Sequence, residues 1–426
     1  MTPLQTSPLQ VKRSSLLREL SSIERMHWLM DQNHCNHFPM AAEIRGHTTV
    51  TMWRNALNEL QRRHPLLNAF IGVGESSRPA FYQGDEFKIP LVIRKRASSL
   101  EWQAEFEKEI STPFDTSESP LMRAQLLLAD DRCEVILTTH HSIADGMAIM
   151  YVLRDLLQAV SGEKLAHLPA PRSQDELLDP ILRALPSRMS EDEVHTAPVS
   201  RPLAFRHKDG ATPRVTGLRL SPQQTALLVK SARREQTSVH AAISTALALT
   251  GRESLPSWKE HGVRVLSPIS LHKALRVEND CVLALTGGIV TFEPSFGSNF
   301  WDLARWAKQT LLPFQTMEGV RSASGMFEKT FSNHANVETV ARAMAQGMGY
   351  ELVVTNVQQF PFDNRFGDLT LEGLWGPSAL NGFEGEQAVA IATVNDSLHM
   401  VHTSYTPVNT FLNRAVDLLM NACRGS

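Results

Sequence analysis

The stretch "THHSIADG", Thr139–Gly146, determines which fold this sequence predicts. It ends an apolar run, Cys133–His140, that favours a strand, and it leads into Gly146–Val160, whose apolar residues recur at helical spacing. Consecutive residues on a strand point to opposite faces, so His140 and His141 cannot share one cavity while the strand stays regular. We therefore expect one imidazole in the core and the other in a cleft.

The residue types in this stretch suit proton transfer. A neutral histidine has one nitrogen that accepts a proton and one that donates a hydrogen bond, and its pKa lies near operating pH. Asp145 stands where the next helix begins, so it can cap that helix or pair with a buried arginine. Gly146 permits a tight turn and close packing. A structural histidine beside an ordinary Asp-Gly turn is the alternative, but the joint spacing favours a functional site.

The composition is that of an ordinary globular protein. The 426 residues are 42% hydrophobic and 20% charged, and this length predicts two domains. A net charge of −3 does not indicate a nucleic-acid or anionic-membrane partner. Four cysteines without CxxC spacing predict neither a disulfide framework nor a zinc site, and no apolar run reaches the length of a membrane span. We expect a soluble, cytoplasmic protein that binds no metal.

Hydrophobic periodicity divides the chain into two α/β halves, predicted as residues 1–185 and 214–426. Between them, residues 186–213 are rich in proline, serine, histidine and charge, which predicts a crossover linker. The first half has helical patterns at 16–30 (capped by Ser21 or Ser22), 50–63 and 100–110, and strand patterns at 40–45, 69–73, 80–82, 91–93 and 121–129. The second half has strand patterns at 214–220, 263–266, 285–292, 352–357 and 398–404, and helical patterns from 222 with a break near Ser238, at 301–312 and at 408–421.

The motif and its surroundings resemble the HHxxxDG signature of the condensation-domain and CoA-dependent acyltransferase superfamily. This superfamily includes chloramphenicol acetyltransferase, plant BAHD acyltransferases, nonribosomal peptide condensation domains and polyketide-associated acyltransferases. Length and layout resemble most the last group and free-standing condensation enzymes, with matching segments "LSSIERMHW", "ALNELQRRHPLLNAFI", "LSPISLHKAL" and "VVTNVQQF". The resemblance implies an α/β fold of two chloramphenicol-acetyltransferase-like halves, each a mixed β-sheet flanked by helices. It also implies a central channel and a segment of the second half that reaches across to the first.

The resemblance implies a role for each residue of the motif. The second histidine, His141, is expected to be the general base, whereas His140, Asp145 and Gly146 are expected to be structural. An acyl-transfer intermediate carries an oxyanion that needs a nearby donor. Two polar residues of the "VVTNVQQF" segment are the candidates for contact with the oxyanion or the substrate: Thr355 and Asn356.

The sequence departs from the family pattern at two places. His272 stands where the family has an arginine that holds the motif aspartate, and Arg264 is the nearby substitute that we consider as the partner of Asp145. The DFGWG motif of plant and peptide-synthetase members is replaced by "RFGDLTLEGLWGPS". A separate pair, His34 and His37, lacks the further clustered ligands that a metal site needs.

The function implied is acyl transfer from an acyl-CoA or an acyl- or peptidyl-carrier-protein thioester to the hydroxyl of a small molecule, with an ester as product. We expect no permanently bound cofactor, a monomer, and a place in secondary-metabolite or lipid biosynthesis. One alternative is a free-standing condensation protein that forms an amide or catalyses a cyclisation. A second alternative is a non-catalytic binding module that retains the fold.

Overall fold

The computed structural model describes residues 14–75, 77–84, 87–186, 202–207, 209–297, 299–331 and 335–425. Its strands are β1 (Leu16–Glu19), β2 (His37–Arg45), β3 (Ala69–Val73), β4 (Pro79–Gln83), β5 (Leu91–Lys95), β6 (Met122–Leu128), β7 (Arg132–His140), β8 (Arg214–Arg219), β9 (Val263–Ser270), β10 (Leu285–Phe292), β11 (Leu352–Gln359), β12 (Arg365–Phe366), β13 (Leu369–Trp375), β14 (Gln387–Val394) and β15 (Ser397–Ser404).

The helices of the described residues are α1 (Ser22–Asn33), α2 (Val50–Arg63), α3 (Glu101–Ser111), α4 (Gly146–Val160), α5 (Gln174–Ala184), α6 (Pro222–Arg234), α7 (Val239–Ser254), α8 (Pro256–His261), α9 (His272–Leu275), α10 (Phe300–Leu311), α11 (Met317–Thr330), α12 (Val337–Gly347) and α13 (Phe411–Gly425). None of them is long and apolar enough to cross a membrane. We refer to the residues up to 186 as the first half and to those from 202 onward as the second half.

Each half contributes most of one mixed sheet. The sheet of the first half has the strand order β12-β13-β2-β7-β6-β5, and the sheet of the second half has the order β10-β9-β11-β14-β15-β8. A smaller sheet, β1-β4-β3, lies beside the first. This mixed α/β architecture in two halves confirms the fold class predicted from the sequence.

Both large sheets contribute alternate residues of their strands to one shared core, which also contains residues of helices α1 and α3. On β7, Val135 belongs to the core beneath the helices of the first half, whereas Ile136 belongs to a core shared with the second half. On β14, Val389 faces the helices of the second half and Ala390 faces the shared core. This period of two is what a strand with both faces buried requires.

Two strands of the second half, β12 and β13, complete the sheet of the first half. Strand β13 pairs antiparallel with β2, with Leu371 opposite Ile44 and Trp375 opposite Ala41. The segment was expected to reach across in this way. Strand β2 therefore lies between β13 and β7, and the sheet that carries the HHxxxDG motif is not complete within the first half.

The predicted helix at residues 16–30 is wrong in its first turn. Leu16–Glu19 forms strand β1, which pairs with β4, and the helix begins only at Ser22. Ser21 and Glu24 form the capping box that stops the helix from extending backward. The last helix begins at Phe411 rather than at residue 408. Most of the predicted linker, residues 187–201, lies outside the described residues.

Candidate active site

The HHxxxDG motif forms the turn between strand β7 and helix α4. The strand ends at His140, and the helix begins at Gly146 with Asp145 as its N-cap. The backbone N–H of His140 donates to the carbonyl of Leu121 at 3.0 Å, and that of His141 donates to the carbonyl of Asn36 at 3.1 Å. The turn is thus attached to the segments that enter β6 and β2.

His141 lies between two aromatic rings. It stacks on His27 with the ring centroids 3.9 Å apart and the planes inclined by 10°, and Phe38 contacts it edge-on at 4.9 Å. The ring is partly exposed, its Nδ1 is buried, and no described residue forms a hydrogen bond with its Nε2. Burial and the neighbouring His27 lower the pKa of His141 well below its usual range, so the imidazole is neutral at neutral pH.

His140 is fully buried, as strand alternation predicts. Its Nδ1 accepts a hydrogen bond from the backbone N–H of Ser142 at 3.1 Å and lies 2.7 Å from the Ser142 hydroxyl. The ring proton is therefore on Nε2, which lies 3.6 Å from a carboxylate oxygen of Asp31. Burial alone would raise the pKa of Asp31, but the adjacent His140 lowers it, so this carboxylate is held in its charged form.

Asp145 links the motif to the second half. One of its carboxylate oxygens accepts from the backbone N–H groups of Met147 and Ala148, both at 2.9 Å, and caps helix α4. The other accepts from the backbone N–H of Ala284 at 2.8 Å. Nε2 of His272 lies 3.0 Å from both oxygens. The carboxylate is thus fully hydrogen bonded although it is buried, which is the condition for keeping a buried charge.

His272 carries a positive charge in this arrangement. Its Nδ1 faces the carbonyl of Val277 at 3.1 Å, and its Nε2 faces the carboxylate of Asp145. Both partners only accept hydrogen bonds, so both ring nitrogens must donate, and the ring is an imidazolium. Burial would lower the pKa of His272, but the carboxylate outweighs this effect and raises it. Burial would likewise raise the pKa of Asp145, but the imidazolium of His272 outweighs this effect and lowers it.

Arg264, considered from the sequence as the partner of Asp145, is bound elsewhere, and that prediction is wrong. Its guanidinium pairs with Glu351 through contacts of 2.7 and 3.1 Å. The two residues connect the starts of β9 and β11, where these strands run parallel. His272 therefore stands at the position, and makes the contact with Asp145, that the resemblance implies for an arginine.

Gly146 lets the second half approach the start of helix α4. A Cβ atom at this position would lie 3.2 Å from Val357, 3.2 Å from Pro377 and 3.8 Å from Thr355. The glycine φ angle is not positive, so close packing and not a left-handed turn requires the missing side chain. Strand β11 is thereby brought against the motif.

The two candidate oxyanion residues have different surroundings. Thr355 lies on β11 beside Gly146, is partly exposed, and has a hydroxyl group to which no described residue is hydrogen bonded. Asn356 follows it, and its side-chain oxygen accepts from the backbone N–H of Gln358 at 2.8 Å. The side chain of Asn356 is thus engaged in a local turn, whereas the hydroxyl of Thr355 is available.

The thiol nearest to the motif is not a nucleophile. Cys281 is buried and donates to the carbonyl of Ile143 at 3.6 Å, which ties the motif turn to the second half. Burial strongly raises the pKa of this thiol, so the thiolate is not populated at neutral pH. Cys133, a buried residue of β7, likewise has a pKa raised to about 12 by burial.

Sequence reasoning missed two residues of this site, His27 and Asn36. Both belong to segments that were noted, the opening helix and the "HCNH" stretch, but no spacing rule connects either one to the motif more than 100 residues later. His37, the last residue of that stretch, donates from Nε2 to the carbonyl of Glu109 at 2.8 Å, which is a structural contact.

Comparison with known proteins identifies similar sequences in both halves of the chain. Residues 20–179 match the family model "Condensation domain", and residues 209–286 match the model "Phthiocerol/phthiodiolone dimycocerosyl transferase C-terminus". The chain is 29% identical over 147 residues to malpinin synthetase of Mortierella alpina, which covers 33% of this chain and only 2% of that protein.

The fold is shared with solved structures over nearly the whole chain. Polyketide synthase associated protein 5 of Mycobacterium tuberculosis is similar with a TM-score of 0.69 at 20% identity, covering 96% of this chain and 98% of that one. A trichothecene 15-O-acetyltransferase of Fusarium sporotrichioides is similar with a TM-score of 0.66 at 13% identity, covering 98% and 99%. Two family models, one in each half, together with this shared fold confirm the resemblance of the chain to the condensation-type acyltransferases.

Proposed function

We propose that this protein transfers an acyl group from a CoA or carrier-protein thioester to the hydroxyl of a small molecule, with His141 as the general base. The observation that carries the proposal is the state of His141: a neutral ring, held by two aromatic neighbours, with an Nε2 free of described partners. A base in this state is ready to accept a proton and does not first have to release one.

The proposed reaction needs no covalent acyl-enzyme. His141 takes the proton of the acceptor hydroxyl as its oxygen forms a bond to the thioester carbonyl carbon. The resulting tetrahedral oxyanion collapses, the C–S bond breaks, and the leaving thiolate takes the proton from His141. The reacting atoms must approach to about 3–3.5 Å, so the two substrates have to enter the proposed central channel and meet beside this ring.

We propose Thr355 as the donor to the oxyanion. Its hydroxyl is open and lies next to the start of helix α4, whereas Asn356 is engaged with Gln358. Thr355→Val keeps the shape of the side chain and removes the donor. We expect it to lower kcat by roughly 10²-fold, the size of effect that loss of one oxyanion donor produces.

The test is turnover of acetyl-CoA and octanoyl-CoA with a panel of primary alcohols, followed by release of free thiol and by mass spectrometry of the product. His141→Ala should lose roughly 10²–10⁴-fold in rate while it remains folded. His140→Ala is the matched control, and we expect it to lose stability first, because its ring is fully buried. A folded His141→Ala protein with most of its turnover, or an acyl group trapped on a side chain, would contradict the mechanism.

The same assay separates the alternatives. Amines in the acceptor panel, and acyl groups loaded on a phosphopantetheinyl carrier protein, test whether the product is an amide and whether CoA is the donor. A binding module would bind thioesters without turnover and would be insensitive to His141→Ala. Because β13 and His272 complete the site within one chain, we propose that the protein acts as a monomer. We also propose that its two halves are residues 1–185 and 214–426, joined by a linker at 186–213.

A further inference from the structure

The imidazole of His27 is the feature of the site that the proposed mechanism does not use. It is buried beneath the proposed base, nearly parallel to it and at van der Waals distance. Phe38 restrains His141 from another side through its ring edge. The plane of the base is therefore set largely by where His27 is held.

His27 is held by a chain of buried and partly buried hydrogen bonds that crosses to the second half. Its Nδ1 lies 2.6 Å from the side-chain oxygen of Asn36, and the amide nitrogen of Asn36 donates to the side-chain oxygen of Asn381 at 2.9 Å. The amide nitrogen of Asn381 then donates to the hydroxyl of Tyr350 at 2.7 Å, and that hydroxyl donates to Glu386 at 2.8 Å.

Glu386 fixes the direction of every bond in this chain. Its carboxylate also accepts from the backbone N–H groups of Asn381, Gly382 and Phe383. Burial raises the pKa of Glu386 to about 6, so this carboxylate is ionised at pH 7.5 and only accepts hydrogen bonds. Tyr350 must therefore donate to it, and the phenol oxygen is left to accept from the next group. Burial, followed by the Glu386 carboxylate, raises the pKa of Tyr350 far above its usual range, which keeps the phenol protonated.

The donor and acceptor roles along the chain also determine which nitrogen of His27 carries the proton. Since the amide nitrogen of Asn381 faces Tyr350, its oxygen must accept from Asn36, and the oxygen of Asn36 must in turn accept from His27. The proton of His27 is therefore on Nδ1, and its Nε2 keeps a lone pair. Burial lowers the pKa of His27 to about 4, so the ring is neutral at neutral pH.

We propose that His27 is a positioning residue for His141, locked as the neutral Nδ1–H tautomer by the hydrogen-bond chain that runs from Glu386 through Tyr350, Asn381 and Asn36. The chain lets the second half set the orientation of the base in the first half. The catalytic part of this inference rests on the proposed function of His141, whereas the tautomer of His27 does not.

The first test therefore needs no substrate. Two-bond ¹H–¹⁵N spectra of uniformly ¹⁵N-labelled protein at pH 7.5 distinguish the two neutral tautomers and the imidazolium, and His27→Phe identifies the signal. We expect one neutral Nδ1–H pattern that is absent from His27→Phe. Tyr350→Phe removes the hydroxyl that orients the chain, and we expect it to perturb this pattern although it lies three side chains away. An Nε2–H or a charged His27 in the wild-type protein overturns the proposal.

The second test is kinetic, with octanoyl-CoA as the probe. We expect Tyr350→Phe and His27→Phe to lower kcat by roughly 10–10²-fold, because small displacements of a base have effects of this size, and to leave KM for octanoyl-CoA unchanged. Tyr82→Phe, a buried tyrosine of the small sheet, is the matched control and should leave kcat unchanged. Wild-type kcat in His27→Ala overturns the positioning role. Absence of turnover in the wild-type protein refutes the proposed function instead, and the spectra still decide the tautomer.

Discussion

Nε2 of His272 lies 3.0 Å from both carboxylate oxygens of Asp145, so a side chain of the second half holds the turn of the first half that carries the proposed base. An arginine, which the resemblance implies for this position, keeps its charge at any accessible pH, whereas an imidazolium loses its proton near neutrality. We therefore expect the contact between the halves to depend on pH in this protein.

We expect the stability contributed by this ion pair to decline as pH rises. The pKa of His272 is raised in the folded protein, so its contribution is complete below the unfolded value of about 6.5 and is lost as pH rises through the folded value. The pKa of Asp145 is lowered, so its contribution is lost only as pH falls below about 3.9 and through the folded value. The difference in free energy of unfolding between wild type and His272→Gln, measured from pH 5.5 to 9 by urea denaturation, isolates this contribution. A difference that does not change across that range would contradict the charged state of His272.

Asp145→Asn should destabilise the protein and lower its activity together. The substitution leaves His272 buried without its counter-charge, and loss of one partner of a buried pair costs about 3 kcal/mol. Urea denaturation at pH 6.5 measures the loss. Asp417→Asn, on the exposed side of α13, is the control and should change stability by less than about 0.5 kcal/mol. An Asp145→Asn protein as stable as wild type but inactive would show that the aspartate has a chemical role.

Gly146→Ala and Gly325→Ala should have opposite effects on stability. At Gly146 the added methyl group would press on Val357 and Pro377 at 3.2 Å, and we expect this overpacking to cost about 1 kcal/mol net of the gain in helix propensity. Gly325 lies within α11 with no atom within 4 Å of the added methyl group, so alanine there should stabilise by about 0.5–1 kcal/mol. Thermal unfolding of both variants compares them directly, and a stabilised Gly146→Ala protein would show that β11 is free to move away.

The pH profile of kcat/KM should show no protonation step near pH 6.5. Burial of much of the ring and the neighbouring His27 lower the pKa of His141 well below that value, so the base stays neutral as pH falls from 8 to 6.5. Initial rates with octanoyl-CoA over that range, corrected for spontaneous hydrolysis, provide the measurement. A tenfold loss of kcat/KM per pH unit beginning at pH 7 would mean that the ring is hydrated and titrates as in a free peptide.

The first and last residues of helices with a clear apolar stripe and a local cap could be predicted from the sequence. Helices α2 and α4 begin and end where the pattern places them, because Thr49 and Asp145 cap them with side-chain bonds to the backbone. Strand β1 could not be predicted, since Leu16–Glu19 is extended only because it pairs with β4, some 60 residues later. Propensity alone assigns that segment to the helix that follows it.

The residues of the candidate active site likewise fall into those that the sequence predicts and those that it does not. His140, His141, Asp145 and Gly146 could be identified because they are contiguous and their spacing is specific. Their partners could not, because His272 and Ala284 reach Asp145 from 127 and 139 residues away, and His27 reaches His141 from the opening helix. Contacts of this kind depend on the tertiary fold, and a single sequence carries no periodic signal for them.

Strand β13 has a consequence for the order in which the protein is made. When the ribosome has completed helix α4, β2 has its neighbour β7, but its other edge faces solvent until Leu369–Trp375 have been synthesised. That is roughly 200 residues later, or about 10–40 s at 5–20 residues per second. Throughout this interval the nascent chain carries an open sheet edge and an Asp145 carboxylate for which His272 and Ala284 have yet to emerge. An unpaired edge is a template for aggregation, so the emerging first half carries this risk until β13 has been made.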